Sequence, residues 1–325
     1  MTPAHVLVIG SYNHDHVWSS DALPVPGATR LGVYANGPGG KGFNQAVASA
    51  RVGAKTIFLT ALGNDVAAAQ ARMLATGEGI DLRDEVHADL PSGSAGIFVD
   101  TEGRNAIVVA AGANAALTPG FVLAQTQTFA RCKVVLAQLE VAAAAVEQAL
   151  RLARDHGAIT LLNPAPANAA TTMELLALAD ILTPNESEFA ALLERHGGMT
   201  IAAADVVLRP DSELHGLCRR LGNGTFVITL GEHGIFVSHA DAERRGDTSA
   251  CYRIGPESVQ AIDSTGAGDA FNGALAATLA LHPDASFMDA ARYANRYAAL
   301  STERRGAALA MPTSADLVQR FSTPL

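Results

Sequence analysis

Asp263-Ser264-Thr265-Gly266-Ala267-Gly268-Asp269, followed by Ala270-Phe271-Asn272-Gly273 and an apolar run to Leu281, is the stretch on which the reading of this chain turns. Two glycines allow a tight turn, and the apolar run predicts a helix over Ala270–Leu281 directly behind it. N–H groups at a helix start have no partners inside the helix. Those over Gly266–Asp269 are therefore expected to face outward as an anion hole suited to phosphate. Asp269 stands at the edge of that hole, placed to take a proton from a hydroxyl. A phosphate cradle beside a base describes phosphoryl-transfer chemistry. The plainer alternative is an Asp helix cap behind a Gly-rich turn. The heptapeptide alone leaves both open.

Outward from that motif, short apolar runs alternate with Ala/Leu-rich helical stretches. Val6–Ile9, Thr56–Leu62, Val134–Gln138, Ile159–Leu162, Ile181–Thr183, Phe226–Leu230 and Ile235–Val237 are predicted strands. Asn44–Val52, Val66–Thr76, Ala142–Asp155, Glu186–Leu193, Leu214–Leu221 and Met288–Arg305 are predicted helices. The alternation implies a mainly parallel central sheet covered on both faces, a three-layer α/β/α sandwich formed by residues 1–325 as one domain. Ligands in such sheets gather at the carboxyl ends of the strands. Two stretches, residues 15–35 and 94–109, break the pattern with short strands and no helix of their own. They are expected to form a small β-sheet lid over the site. The polar segment Asp241–Asp247 is expected to be an exposed loop.

Composition narrows the function classes. At 325 residues and 49% hydrophobic the chain can bury a large core, and a net charge of -9 argues against nucleic acid or acidic membrane as partner. The three cysteines, Cys132, Cys218 and Cys251, lie far apart, which excludes a disulfide framework or cysteine zinc site and suits a cytoplasmic protein. The N-terminus Met1–His5 has no basic leader pattern, and no apolar run is long enough for a membrane span. Lys41, Lys55 and Lys133 are the lysines among 23 basic residues. One of them sits inside a glycine cluster, where a compact ammonium fits better than a guanidinium.

That cluster, Gly37-Pro38-Gly39-Gly40-Lys41-Gly42, matches G-x-G-x-x-G literally. A dinucleotide fingerprint belongs directly after the first strand, where Gly10-Ser11 stands instead, and a Walker A reading fails because Gly42 follows the lysine. What remains is a Gly-rich turn opening a helix and presenting Lys41 and Asn44 to a polar ligand. Asn13 and Asp15 follow the first strand at its carboxyl end, and Glu140 ends a later strand in the same way. His14 and His16 share a strand face, yet no third metal ligand is identifiable. Thr183-Pro184-Asn185-Glu186-Ser187-Glu188 joins a strand end to a helix start and could be only a capping box. Thr229-Leu230-Gly231-Glu232-His233-Gly234 is a strand and glycine turn. Nothing supports a zinc hydrolase or serine esterase motif.

Taken jointly, Gly39-Gly-Lys-Gly-Phe-Asn-Gln-Ala46 and Asp263-Ser-Thr-Gly-Ala-Gly-Asp269 resemble the two signatures of the PfkB carbohydrate kinases. Gly10–His16, Ala111–Pro119, Leu162–Ala167, Thr183–Glu188 and Thr229–Gly231 are similar too, and the resemblance runs from about His5 to Pro312. It implies an ATP-dependent sugar kinase, with members that phosphorylate D-ribose at the 5-position as the nearest likeness. Kinases of a nucleoside or another sugar, and an inactive sugar- or nucleotide-binding regulator, are the alternatives.

Carried over residue by residue, it makes Asp269 the base, with Gly266, Ala267 and Gly268 as the anion hole. Asn13, Asp15, Gly40, Lys41, Asn44 and Glu140 would hold sugar hydroxyls. Asn185, Thr229, Gly231, Gly234, Gly268 and Asn295 would contact ATP, and Glu188 would place Mg2+ through water. Asp263, Thr265, Ser301, Arg304 and Gly306 match a monovalent cation site, giving K+ as a further cofactor. Phe43 stands where the family carries a small residue and is expected to reshape the sugar pocket; Ala310 stands where a cation-site serine is common. The lid's apolar residues Val17, Leu31, Val33 and Ile107 compete for one inner face, which predicts a homodimer through the lids.

Overall fold

The computed structural model describes residues 5–167, 171–240 and 245–322. Its strands, in chain order, are β1 (His5–Ile9), β2 (Asn13–Ser19), β3 (Val33–Gly39), β4 (Lys55–Leu62), β5 (Asp81–Val86), β6 (Gly93–Val99), β7 (Asn105–Ala110), β8 (Cys132–Ala137), β9 (Ile159–Leu162), β10 (Ile181–Leu182), β11 (Thr225–Thr229), β12 (Ile235–Ser238) and β13 (Cys251–Ile254). Nine form one sheet in the order β13-β12-β11-β10-β9-β8-β1-β4-β5. Only β12 runs antiparallel to its neighbours.

The middle of this sheet shows why the apolar runs become strands. In β1 successive side chains point to opposite faces. Val6 and Val8 join one core cluster with Phe43, Val47 and Phe271, while Leu7 and Ile9 join the other with Val146, Leu150 and Phe189. Both faces are covered, so the strand reads as an unbroken apolar run rather than an alternation. Each such side chain contributes about 1.5–3 kcal/mol on burial.

The expected three layers and lid are present, with two edge strands that the pattern did not predict. β5 and β13 close the two ends of the sheet and carry the mixed sequences Asp-Leu-Arg-Asp-Glu-Val and Cys-Tyr-Arg-Ile. An edge strand has one paired side and needs no continuous apolar face.

The lid is one four-stranded sheet, β3-β2-β6-β7, joined at its centre by parallel pairing of β2 with β6 from Asn13↔Gly93 to Ser19↔Val99. It starts earlier than expected, at Asn13, and β3 continues to Gly39, so the Gly37–Gly42 motif lies half in the lid and half in a helix. His14 and His16 sit in this sheet, where the His16 ring pairs with Tyr34 and stacks near Trp18. Among the described residues no group of His, Cys, Asp and Glu converges on a metal position, and no helix is long and apolar enough to cross a membrane.

Residues 1–4 and 241–244 fall outside the described set, so the N-terminal reading and much of the predicted Asp241–Asp247 loop are untested. Asp247, its described end, is not the exposed loop residue expected. Its carboxylate is buried, 2.9 Å from His239 Nε2, and accepts hydrogen bonds from the Tyr252 hydroxyl and the Met288 N–H. All three cysteines are free thiols.

Candidate active site

Two helices meet at the carboxyl end of the central strands, and a glycine opens each. The first, Lys41–Val52, begins three residues before the predicted start. Gly40 sits at φ 86°, and a Cβ there would lie 2.7 Å from the Asn13 nitrogen. The glycine thus lets the lid strand β2 touch the helix start.

The second, Ala267–Leu281, also begins three residues early, which puts Gly268 and Asp269 inside its first turn. Gly266 precedes it at φ 77°, and no side chain caps it. The Ala267 N–H turns back on the Ser264 carbonyl at 3.1 Å. The N–H groups of Gly268 and Asp269 follow, and no helix carbonyl can reach them. A Cβ on Gly268 would meet open space, so the backbone there is accessible to a bulky anion.

Asp269 is therefore not a helix cap. Its carboxylate is buried and receives Asn44 Nδ2 on Oδ2 at 2.8 Å and Gln45 Nε2 on Oδ1 at 2.9 Å, both from the first helix. Burial raises its affinity for a proton, and the Lys41 ammonium, Asn44 and Gln45 oppose that without cancelling it. Lys41 is pushed down by burial, but the surrounding Asp269, Glu140 and Glu188 more than offset this and keep it charged. A buried carboxylate poised above its usual range, under the influence of the Lys41 charge and at a helix start, has the attributes of a general base next to an anion hole.

The predicted sugar-side residues converge here. Asn13 is buried, and its Oδ1 accepts from Asn114 Nδ2 at 2.9 Å. Asp15 stands on the next inward position of β2, where its carboxylate occupies the space a Cβ on Gly39 would need. Burial, then repulsion from Glu140 and Asp269, pushes the Asp15 carboxyl up to about 7. Glu140 has a structural duty as well: its Oε2 accepts from Ser11 Oγ at 2.6 Å and the Lys41 N–H at 3.0 Å, closing the first helix from the bend after β8. Phe43 corrects the sequence reading. It is 1% exposed and its ring packs edge-on against Tyr12 at 5.3 Å and near Phe58, so it fills the core beneath the site rather than the pocket.

On the other flank, Asn185 and Glu188 do form the capping box that the plainer reading allowed. Asn185 Oδ1 accepts the Glu188 N–H at 2.8 Å, and Glu188 Oε2 accepts the Asn185 N–H at 2.9 Å. Thr229 pairs with Asn185 in an isolated bridge, and Gly231 and Gly234 bracket the short helical turn before β12. Asn295 ties its helix to the Gly255 carbonyl at 3.0 Å.

The matched cation residues also come together. Asp263 accepts the N–H of Thr265 and of Gly306, each at 2.9 Å, and the Asp263 N–H donates to the Thr302 carbonyl. Burial pushes this carboxyl up, but those N–H donors outweigh it and hold it below the usual range. Arg304 directs its guanidinium to Asp316, so only its backbone faces the loop. Ser301 Oγ bonds the Ala298 carbonyl, and Ala310 is buried. Ser301 and Arg304 have their side chains engaged elsewhere, so a cation between these loops could be held only through backbone carbonyls and the Asp263 carboxylate.

Sequence reasoning passed over Gln45, Asn114, Gln138 and Asn163, all buried amides around the site. A signal existed: each is a large polar residue within or beside an apolar run, and a buried amide needs partners.

An α/β sheet with an open helix start, a buried carboxylate and a lid defines a phosphotransferase acting on small hydroxylated molecules. Residues 3–314 match the family described as pfkB family carbohydrate kinase, and the chain belongs to that family. It is 38% identical over 317 residues to the ribokinase of Haemophilus influenzae, covering 96% of each chain. Among solved structures it is similar to ribokinase from Giardia lamblia, with a TM-score of 0.86, 27% identity and 99% of each chain covered. It is also similar to Arabidopsis thaliana ribokinase complexed with ribose and ATP, with a TM-score of 0.83, 26% identity and full coverage of both chains.

Proposed function

We propose that this chain is an ATP-dependent kinase that converts D-ribose to D-ribose 5-phosphate. The observation that carries the mechanism is the buried Asp269 in the first turn of an uncapped helix, with Lys41 beside it. Asp269 takes the proton of the sugar's primary hydroxyl as that oxygen attacks the γ-phosphorus of ATP, and ADP leaves in line. The turn Gly266-Ala267-Gly268 cradles the transferred group, with the Gly268 and Asp269 N–H groups as its free donors, since the Ala267 N–H is already held by Ser264.

Asn13, Asp15, Gly40, Lys41, Asn44 and Glu140 hold the sugar. Asn185, Thr229, Gly231, Gly234 and Asn295 flank the nucleotide, and Glu188 would hold Mg2+ through water. When bound, Mg2+ would neutralise charge on the phosphates. The loops carrying Asp263, Thr265, Ser301, Arg304 and Gly306 suit K+ through their carbonyls. The enzyme is read as cytoplasmic.

The lid supports a homodimer. Leu31 is 95% exposed and Val33 73%, while β7 exposes every residue, including Ile107, Val108 and Val109. Small sheets with apolar residues exposed on both faces are rarely stable in water alone, and a second copy of the lid is the occupant of matching shape. Light scattering at micromolar concentration should give a dimer; a fully active monomer sinks this part. For the substrate, ADP release is measured across ribose, deoxyribose, fructose, adenosine and inosine. Ribose should give the highest kcat/KM, and a nucleoside preferred over ribose would overturn the assignment.

A further inference from the structure

Behind Asp269 lies a chain of buried side-chain amides. Gln45, fully buried on the helix Lys41–Val52, donates from one nitrogen to Asp269 Oδ1 at 2.9 Å and Asn163 Oδ1 at 3.2 Å. Its own oxygen accepts a short hydrogen bond from Gln138 Nε2. Gln138 is itself fully buried, at the end of β8, and its other amide atom fills the space over Gly10, where a Cβ would lie 2.0 Å from it. From Asn163 the network continues through its Nδ2 to the Thr183 carbonyl at 2.9 Å. The Thr183 hydroxyl then donates to Asn272 Oδ1, and Asn272 Nδ2 donates to the Gly268 carbonyl at 2.8 Å. One connected network therefore grips both the base and the helix turn that forms the anion hole.

The polarity of the network is the informative part. A Gln amide has two ends of opposite sense, and flipping it would aim an oxygen at a carboxylate. Gln138 offers a donor to the Gln45 oxygen, but its own oxygen has no partner among the described residues, so the sense is set by the Asp269 carboxylate, which accepts from the Gln45 nitrogen. Asn163 accepts that same nitrogen, in agreement. The groups that meet the Gln45 amide, Asp269, Asn163 and Gln138, are all buried and polar, so an apolar residue there would leave each of them short of a partner.

We propose that Gln45, held by Asn163 and Gln138, is the positioning residue of the catalytic base. It anchors Asp269 Oδ1 so that Oδ2, beside Asn44, meets the acceptor hydroxyl. The inference rests on Asp269 being the base of the proposed reaction. The alignment matters because a misplacement of about 1 Å at a reacting group can cost on the order of 10²-fold in rate. The Gln45 N–H also stabilises the charged carboxylate against burial, so its loss makes Asp269 harder to deprotonate.

The test compares Gln45→Met, which keeps length and volume without a donor, with Gln138→Met and Asp269→Asn. For Gln45→Met, kcat should fall by roughly 10- to 100-fold. Ribose and ATP KM should stay within about threefold, and the acid limb of the kcat–pH profile should move to higher pH. Gln138→Met, which removes one of the groups that hold the amide, should shift the same limb in the same direction by less. Gln45→Met with wild-type kcat and an unmoved acid limb overturns the proposal. So does a loss of kcat accompanied by large changes in both KM values and an unmoved limb, since that is the mark of a structural residue. If Gln45→Met does not fold, the limb in Gln138→Met decides. Full turnover by Asp269→Asn would instead defeat the base assignment itself.

Discussion

Two helices of this protein carry a carboxylate at the same position, the third residue of the first turn, and use it in opposite ways. Glu188 reaches back to the N–H of Asn185, whose side chain in turn accepts the Glu188 N–H, so the helix Glu186–Leu192 is closed by its own residues. Asp269 follows Gly266, which has no side chain, and its carboxylate is taken up by Asn44 and Gln45 of another helix. The first arrangement stabilises a helix end. The second leaves N–H groups free for a ligand and holds an acid where its charge is unfavourable. A helix start that is locally complete supports the fold, and one left incomplete marks the site.

The sharpest break of that contrast is Asp269→Asn. It should lower kcat by about 10²-fold or more while ATP KM changes little. Because burial raises the folded-state proton affinity of Asp269, its ionised form destabilises the fold above its own titration and that penalty fades as pH falls. The Tm at pH 7 should thus hold or rise as activity disappears, measured by calorimetry beside the ADP-release assay. A helix-closing acid would behave in the reverse manner.

Next comes the sugar flank. Asp15→Ala should raise ribose KM by about tenfold or more, with ATP KM within a small factor, because sugar hydroxyls lose a charged acceptor. In the wild type the carboxyl titrates at about 7, so ribose KM should climb as pH drops through that value. In Asp15→Asn the climb should be absent; its persistence would assign the titration to another group.

A smaller effect is expected at the open helix start. Gly266→Ala places a Cβ at φ 77° and 3.1 Å from the Ala307 Cβ, which costs about 1–2 kcal/mol of stability. Thermal unfolding should drop by a few degrees and kcat should fall as the turn shifts. The mildest change is on the closed helix. Asn185→Ala removes a cap for about 1 kcal/mol and should raise ATP KM while leaving ribose KM alone. A larger loss of kcat there than at Gly266 would reverse the comparison.

Much of this was legible in residue order. Every predicted strand exists, and the two glycine motifs do meet at one end of the sheet. The errors have physical causes. β5 and β13 escaped because edge strands carry charge. Both site helices begin three residues before their apolar runs, because a glycine can start a helix without any apolar signal. Phe43 looked like a pocket residue because it sits inside the glycine motif, yet its rotation about the helix points it at Tyr12. Glu140 is a different case: its reading as a ligand for hydroxyls stands as a proposal, and only its helix-closing bond to the Lys41 N–H was invisible across the intervening residues.

Chain order alone settled the alternation of elements, the two glycine turns and the candidacy of Asp269, since each depends on neighbours within a few residues. Whether Asp269 capped its helix or faced a ligand depended on Asn44 and Gln45, more than 220 positions away. The proton affinity of Asp15 likewise depends on burial first, and then on Glu140 and Asp269, both distant in sequence. Burial and through-space charge act over a few ångströms of packed protein, and only the folded chain decides which residues stand within that distance.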